Sequence, residues 1–262
     1  MTDASSARQF YDRLYGERGY GDLRAPSEHF AFPDLSEFID AFELRKRKCL
    51  EVGCGRGLFQ NLVEDYTGID LSKSAGSHLS RPFCCGSATS LPFEASSFDA
   101  VWTITVLEHV PDPEAALCEI RRVLRPGGLL FLKVAWHCRS WIGEGLPVRP
   151  YSDLSFRQRY VKVTLPLREW LPFRTARHSL QRLPRFLGAM FGSSTTSLSF
   201  QRLPANYKTY WMVDSDAAVS LDAFNVILWF RSHGDKVLSH PTLGAAVTSR
   251  SEPLVVQVGT GL

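Results

Sequence analysis

Residues 48–57 read Lys-Cys-Leu-Glu-Val-Gly-Cys-Gly-Arg-Gly, and the fold is decided there. Cys49 to Val52 is a short apolar run, interrupted by Glu51 and closed by glycines, the pattern of a buried strand. Gly53, Gly55 and Gly57 follow where a chain must turn sharply or let a ligand approach backbone N–H groups. The pattern predicts a helix over Leu58–Val63, whose N-terminus would offer free donors and a positive dipole to a polar or anionic group. The next acid at a strand end is Asp70, 19 residues after Glu51. A carboxylate about 20 residues on, at the tip of a second strand, is placed to accept hydrogen bonds from ribose hydroxyls. No Gly-Lys-Ser/Thr follows, which excludes a P-loop. Gly57 comes one residue early for the dinucleotide spacing G-x-G-x-x-G.

Outward from this stretch, strands are predicted at Tyr66–Asp70, Pro82–Cys85, Phe98–Val106 and Leu129–Trp136. A helix is predicted over Pro113–Leu124, capped by Asp112 and stopped by Arg125-Pro126-Gly127-Gly128. Strands alternating with helices imply βαβ units and a parallel sheet covered on both faces. Upstream, helical spacing of Phe10, Tyr11, Leu14 and Tyr15 predicts a helix over 4–19, Gly19 and Gly21 mark a turn, and a second helix is expected over Leu35–Arg45. After Trp136 the alternation stops. Six prolines between Arg139 and Lys208 argue against long regular elements there, and Pro184 should break any helix around it. Regularity returns with a helix over Ser220–His233 and strands at Lys236–Ser239 and Leu254–Val258.

The chain has 262 residues, 44% hydrophobic and 22% charged, an ordinary globular composition. Its six cysteines include no C-x-x-C pair and read as small buried hydrophobes in a reducing compartment. No apolar run reaches the ~18–20 residues of a membrane span, and the first residues lack a secretory h-region. A cytoplasmic location is expected. The net charge of +3 is uneven: residues 139–210 hold twelve Lys/Arg and three Asp/Glu, 12 − 3 = +9, leaving 3 − 9 = −6 elsewhere. Such a segment reads as a solvated face or as the seat of an anionic partner.

The glycine loop with Glu51 two residues ahead of it resembles motif I of the class I S-adenosylmethionine-dependent methyltransferases. Gly86-Ser87-Ala88-Thr89-Ser90-Leu91-Pro92-Phe93 with Ser97-Phe98-Asp99-Ala100-Val101, then Val106-Leu107-Glu108-His109-Val110-Pro111-Asp112 and Leu124-Arg125-Pro126-Gly127-Gly128, resemble the ubiquinone-biosynthesis-like members in order. The resemblance covers about residues 48–136. It implies an α/β, Rossmann-like, seven-stranded, mostly parallel sheet with its last strand inserted antiparallel. It implies S-adenosylmethionine as cofactor, with Glu51 on the methionine ammonium, Gly53, Cys54, Gly55 and Gly57 near the methionine part, and Asp70 with Leu71 at the ribose. Ser87 and Ala88 would lie by the adenine, Ser87 standing where the family often has Asp, and Leu107 and Glu108 would complete the contacts. On this reading residues 1–46 form an N-terminal helical cap, 47–138 with 211–262 the cofactor domain, and 139–210 a basic insertion over the acceptor.

Methyl transfer from a sulfonium is an in-line displacement, and a general base is needed only when the nucleophile starts protonated. His137 and His109 are the candidate bases, each with packing or capping as the alternative role. Arg139, Arg149 and Tyr151 are the candidate acceptor anchors, since guanidinium forks suit carboxylate or phosphate. The acceptor expected is a small molecule, anionic or sugar- or lipid-linked, attacked at oxygen. Farther on, Trp170-Leu171-Pro172-Phe173, Leu180, Leu183, Phe186, Leu187 and Phe191 interleave with Arg174, Arg177, Arg182 and Arg185. That suits a cap, a membrane surface or a docking face for an acidic carrier protein. Methylation of RNA or protein, or a non-catalytic binding module, are the alternatives. No Asp/Asn-Pro-Pro-aromatic tetrad follows strand four, which argues against DNA bases, and no metal site is expected. A short-chain dehydrogenase is disfavoured by the glycine spacing and the lack of a Tyr-x-x-x-Lys pair.

Overall fold

The computed structural model describes residues 4–16, 25–191, 197–249 and 252–259. In chain order the elements are α1 (Ala4–Gly16), α2 (Phe32–Ala41), β1 (Lys48–Val52), β2 (Asp65–Asp70), β3 (Phe83–Cys85), β4 (Phe98–Ile104), α3 (Pro113–Val123) and β5 (Leu124–Lys133). There follow α4 (Ser140–Gly143), α5 (Phe156–Val163), α6 (Leu165–Glu169), α7 (Leu171–Met190), β6 (Gln201–Arg202), β7 (Val219–Ser220), α8 (Ala223–Ser232), β8 (Lys236–Val237), α9 (Leu243–Thr248) and β9 (Leu254–Gln257).

Seven strands form one sheet in the order β3-β2-β1-β4-β5-β9-β8. β1 pairs in parallel with β2 and β4, β2 with β3, and β4 with β5. β9 runs antiparallel between β5 and β8, as the resemblance implies. The sheet is covered on both faces, which is why its strands are continuously apolar. On one face Leu50, Val101 and Leu130 pack with Leu117 and Ile120 of α3 and Phe224 and Ile227 of α8. On the other, Trp102 and Phe131 pack with Leu35, Phe38 and Ile39 of α2. Of the described residues before β1, α2 belongs to the core, whereas α1 supplies Ala7, Tyr11 and Tyr15 to the cavity described below. Residues 17–24, with Gly19, Tyr20 and Gly21, lie outside the described residues.

Three local expectations are corrected. No helix follows the glycine loop: residues 53–64 run as successive turns, with bonds such as Gly57 N–H to Cys54 O and Gln60 N–H to Gly57 O. Twelve residues between β1 and β2 are few for a loop plus a full helix, so no helix dipole faces the ligand site. The Arg125–Gly128 stop lies inside β5, because Phe98 pairs with Leu124 and Ala100 with Leu129, so the intervening residues bulge from the ladder. The insertion is also more helical than its prolines suggest. α7 runs 20 residues through Pro184, and Pro172 sits in its first turn, where no N–H is missed.

Candidate functional site

The carboxyl ends of β1, β2 and β4 open into a cavity of about 480 Å³, within the ~300–1,000 Å³ typical of small-molecule sites. Its floor is Glu51 to Gly55. Asp70 and Leu71 at the end of β2, Gly86 to Thr89 after β3, and Thr105, Val106 and His109 after β4 form its walls. Parallel sheets place ligands at this edge because consecutive loops diverge there. Gly53 has φ +75°, and a Cβ on it would lie 2.2 Å from Val106 Cγ2, so the two loops meet only because no side chain intervenes. Gly55 has φ +48°, and a Cβ on it would meet the Tyr15 ring at ordinary contact distance, the hydroxyl at 3.6 Å, so the left-handed backbone and not lack of space calls for glycine there.

Two acids define the ligand end. Glu51 is buried, accepts a 2.6 Å hydrogen bond from Tyr66 Oη, and is pushed up to about 8 by its burial. Asp70 ties the loops together: its Oδ2 accepts from Gly55 N–H at 2.9 Å and its Oδ1 from Ser72 N–H at 2.9 Å. Burial raises the Asp70 carboxyl despite those backbone donors. Ser87 accepts from Thr89 N–H at 3.2 Å and shares a 2.8 Å bond with the Thr89 hydroxyl, closing the turn after β3.

α1 lies across the opening. Arg56 donates to Tyr15 O at 2.8 Å and Ser72 Oγ donates to Asp12 at 2.6 Å, fastening the helix to both loops. Behind it, Tyr11 Oη donates to Asp216 Oδ2 at 2.5 Å, and His109 Nδ1 lies 3.1 Å from the same oxygen. Burial works against charge on His109, but Asp216, Glu108 and Asp214 outweigh it and raise the imidazole to about 9. Burial likewise opposes charge on Asp216, and His109 and Tyr11 together hold it below the usual carboxylate range. His109 is thus an imidazolium at neutral pH and a poor proton acceptor.

Of the predicted cofactor residues, Glu51, Gly53, Cys54, Gly55, Asp70, Leu71, Ser87 and Ala88 line the cavity. Gly57, Leu107 and Glu108 do not. Gly57 turns the chain at φ +71° against Leu79. Leu107 is in the core, and Glu108 is fully buried, accepting from Ala135 N–H at 3.1 Å. His137 is also away from the cavity. Its ring stacks on His178 of α7 at 4.0 Å, its Nε2 is 4.0 Å from Asp222, and burial pulls it down to about 3. Neutral and packed under α7, it has no access to an acceptor in this cavity. Arg139 donates to Glu169 at 3.3 Å, Arg149 lies over Trp211 and donates to Glu144 O and Asp153 O, and Tyr151 lies under Lys162. All three hold the insertion together, and none lines the cavity. Sequence reasoning missed Tyr207 and Asp216, which carry no local motif and reach the site only through tertiary packing. Thr105 was also missed; its φ of +51° where β4 ends is the kind of backbone strain found at functional loops.

The chemistry of this lining fits a nucleoside joined to an amino acid: a buried carboxyl at one end, a second acid at the tip of β2, and hydroxyls after β3. Residues 50–132 match the family model described as a methyltransferase domain. The chain carries a class I S-adenosylmethionine-dependent methyltransferase domain. Its cofactor is S-adenosylmethionine. The domain is similar to a phthiotriol/phenolphthiotriol dimycocerosates methyltransferase of Mycobacterium ulcerans, 33% identical over 46% of this chain and 51% of the relative. It is also similar to a ubiquinone biosynthesis O-methyltransferase of Coxiella burnetii, 33% identical over 39% of this chain and 50% of the relative. The chain thus spans about half the length of these curated relatives. Among solved structures, the S-adenosylmethionine-bound amino pentose methyltransferase of Micromonospora echinaspora aligns over 40% of this chain and 50% of its own, with 22% identity and a TM-score of 0.37.

Proposed function

We propose that the protein transfers the methyl group of S-adenosylmethionine to a small-molecule acceptor at an oxygen that is ionised, or nearly so, when it arrives. The observation carrying this reading is the His109–Asp216–Tyr11 cluster at the cavity wall. His109, held charged by its carboxylate partner Asp216, puts a charged N–H group at the wall that suits an oxyanion, and an acceptor that arrives ionised needs no general base. One relative bears the name O-methyltransferase, in line with attack at oxygen.

The cofactor, when bound, supplies a methyl on a positively charged sulfur. Glu51 would meet its ammonium group, and a cation placed there would return the raised carboxyl to its charged state. Asp70 would accept from the ribose, and the Ser87–Ala88 turn would border the adenine. Tyr11 and Tyr15 on α1 would keep water from the reacting atoms. The division into a cofactor domain and the insertion 139–210 belongs to the same proposal. Arg139 and Arg149 serve the insertion itself, so neither is part of this proposal as an acceptor anchor.

The test is turnover with isotopically labelled S-adenosylmethionine on a panel of phenols and carboxylic acids of graded acidity, with amines beside them. Methyl esters or ethers should form, phenols reacting faster as their acidity brings them toward ionisation at the assay pH, and His109→Gln should slow these reactions by about 10²–10³-fold. Labelled amines with no labelled oxygen products would refute the oxygen reading and leave the cofactor assignment standing.

A further inference from the structure

The inserted helices bear two apolar stripes that point to solvent. Phe156, Tyr160, Val163, Leu167 and Trp170 recur every three or four residues along α5 and α6, and each is at least 59% exposed. Leu180, Leu183, Leu187, Met190 and Phe191 do the same along α7 and its end, at 44–84% exposed. Spacings of three, four, three and one residues put the second set on one side of a helix. The opposite side of α7 faces the body. Arg182 is 5% exposed, paired with Asp222 and donating to Val247 O and Ser249 O, and Phe186 and Ala189 pack on the core. The orientation of α7 is therefore set by its buried contacts, and the apolar side is left outward by construction. Soluble monomers rarely expose so many large apolar residues in sequence.

Charge narrows what covers them. From Phe156 to Phe191 the sequence holds eight Lys/Arg and a single acid, Glu169; Arg182 is turned to the body and paired there with Asp222, which leaves the rest of the segment still strongly positive. A second copy of the same face would bring like charges together, which disfavours self-association. Aromatic and aliphatic residues on one side of a helix, with Arg and Lys flanking, are what a helix lying in a headgroup layer requires. Among the described residues no helix is long and apolar enough to cross a membrane, which suits a segment lying on the surface. We infer that α5, α6 and α7 dock the protein on an anionic lipid surface. The inference does not rest on the acceptor reading, since none of the stripe residues lines the cavity.

The experiment is co-sedimentation of the full chain with vesicles of equal parts phosphatidylglycerol and phosphatidylcholine, against phosphatidylcholine alone. Binding is expected to the anionic vesicles, weakening as salt rises from about 0.05 to 0.5 M. Phe156→Asp and Leu180→Asp should each reduce it about tenfold or more, and Arg157→Glu about fivefold. S-adenosylhomocysteine affinity and Tm, unchanged in all three, would show that the variants fold. Brominated acyl chains should quench a tryptophan signal that Trp170→Phe removes. The inference is overturned by absence of binding at low salt, or by binding that survives both Asp substitutions. It is equally overturned if light scattering finds a dimer that those substitutions split while vesicles remain unbound, or if the face binds an acidic carrier protein and no vesicles.

Discussion

The stretch from Glu51 to Asp112 builds most of the cavity, while the insertion 139–210 contributes Tyr207 alone among the described residues. The two regions also differ in what holds them. The cavity walls are short loops at adjacent strand ends, latched by Asp70 to the Gly55 and Ser72 N–H groups. The insertion is tied to the body through side chains from distant parts of the chain, above all Arg182 to Asp222. A ligand site made of neighbouring loops inherits the rigidity of the sheet. The insertion, anchored by buried polar pairs and by apolar residues such as Phe186 and Leu198, is held to the body mostly away from that site.

The strongest way to break this comparison is Arg182→Ala. It leaves Asp222 and two carbonyls without their buried partner and should cost about 3–5 kcal/mol, read as a lower Tm by calorimetry. S-adenosylhomocysteine affinity should hardly change. A parallel collapse of that affinity would mean that the regions are one unit. Asp70→Ala addresses the other side. Losing a charge-assisted contact of about 1.5–3 kcal/mol should weaken S-adenosylhomocysteine ten- to a hundredfold by calorimetric titration, with the insertion still folded. Unchanged affinity would remove Asp70 from the site.

The smallest effect sharpens the contrast through pH. Glu51 is raised to about 8 by burial, and His109 to about 9 by Asp216 and its acidic neighbours against the cost of burial. A folded pKa above the unfolded one stabilises fully below the unfolded value and is lost as pH rises through the folded value. Tm should therefore decline from pH 7 to 9.5, with buried Cys49 and Cys138, raised by their burial, adding in the same direction at the upper end. His137, depressed to about 3, contributes almost nothing in that window, because it is neutral when folded and mostly neutral when unfolded. His109→Gln should flatten the profile and His137→Gln should not. A profile equally steep in both variants would place the titration elsewhere.

The cavity half was readable because its determinants are local. A strand, glycines with positive φ at Gly53 and Gly55, and an acid at the next strand tip are neighbours in sequence and in space. The same reading misplaced Leu107 and Glu108, because a motif supplies order and not direction. Thr105 and Val106 turn the chain so that Leu107 enters the core and His109 the cavity. It also predicted a helix after Gly57, where only successive turns form.

By itself the sequence determined the parallel sheet, through periodicity and short turns, while the resemblance of its motifs to a known family implied the antiparallel last strand, the methyltransferase domain and the cofactor. Tertiary structure alone decided which histidine faces the cavity and in which charge state. His109 and His137 look alike in sequence, each just past a strand, yet Asp216 charges the first while burial beside His178 keeps the second neutral despite Asp222. It also decided that Arg139 and Arg149 brace their own segment. A side chain's charge is set by what long-range folding brings within a few ångströms of it, and spacing along the chain carries no record of that.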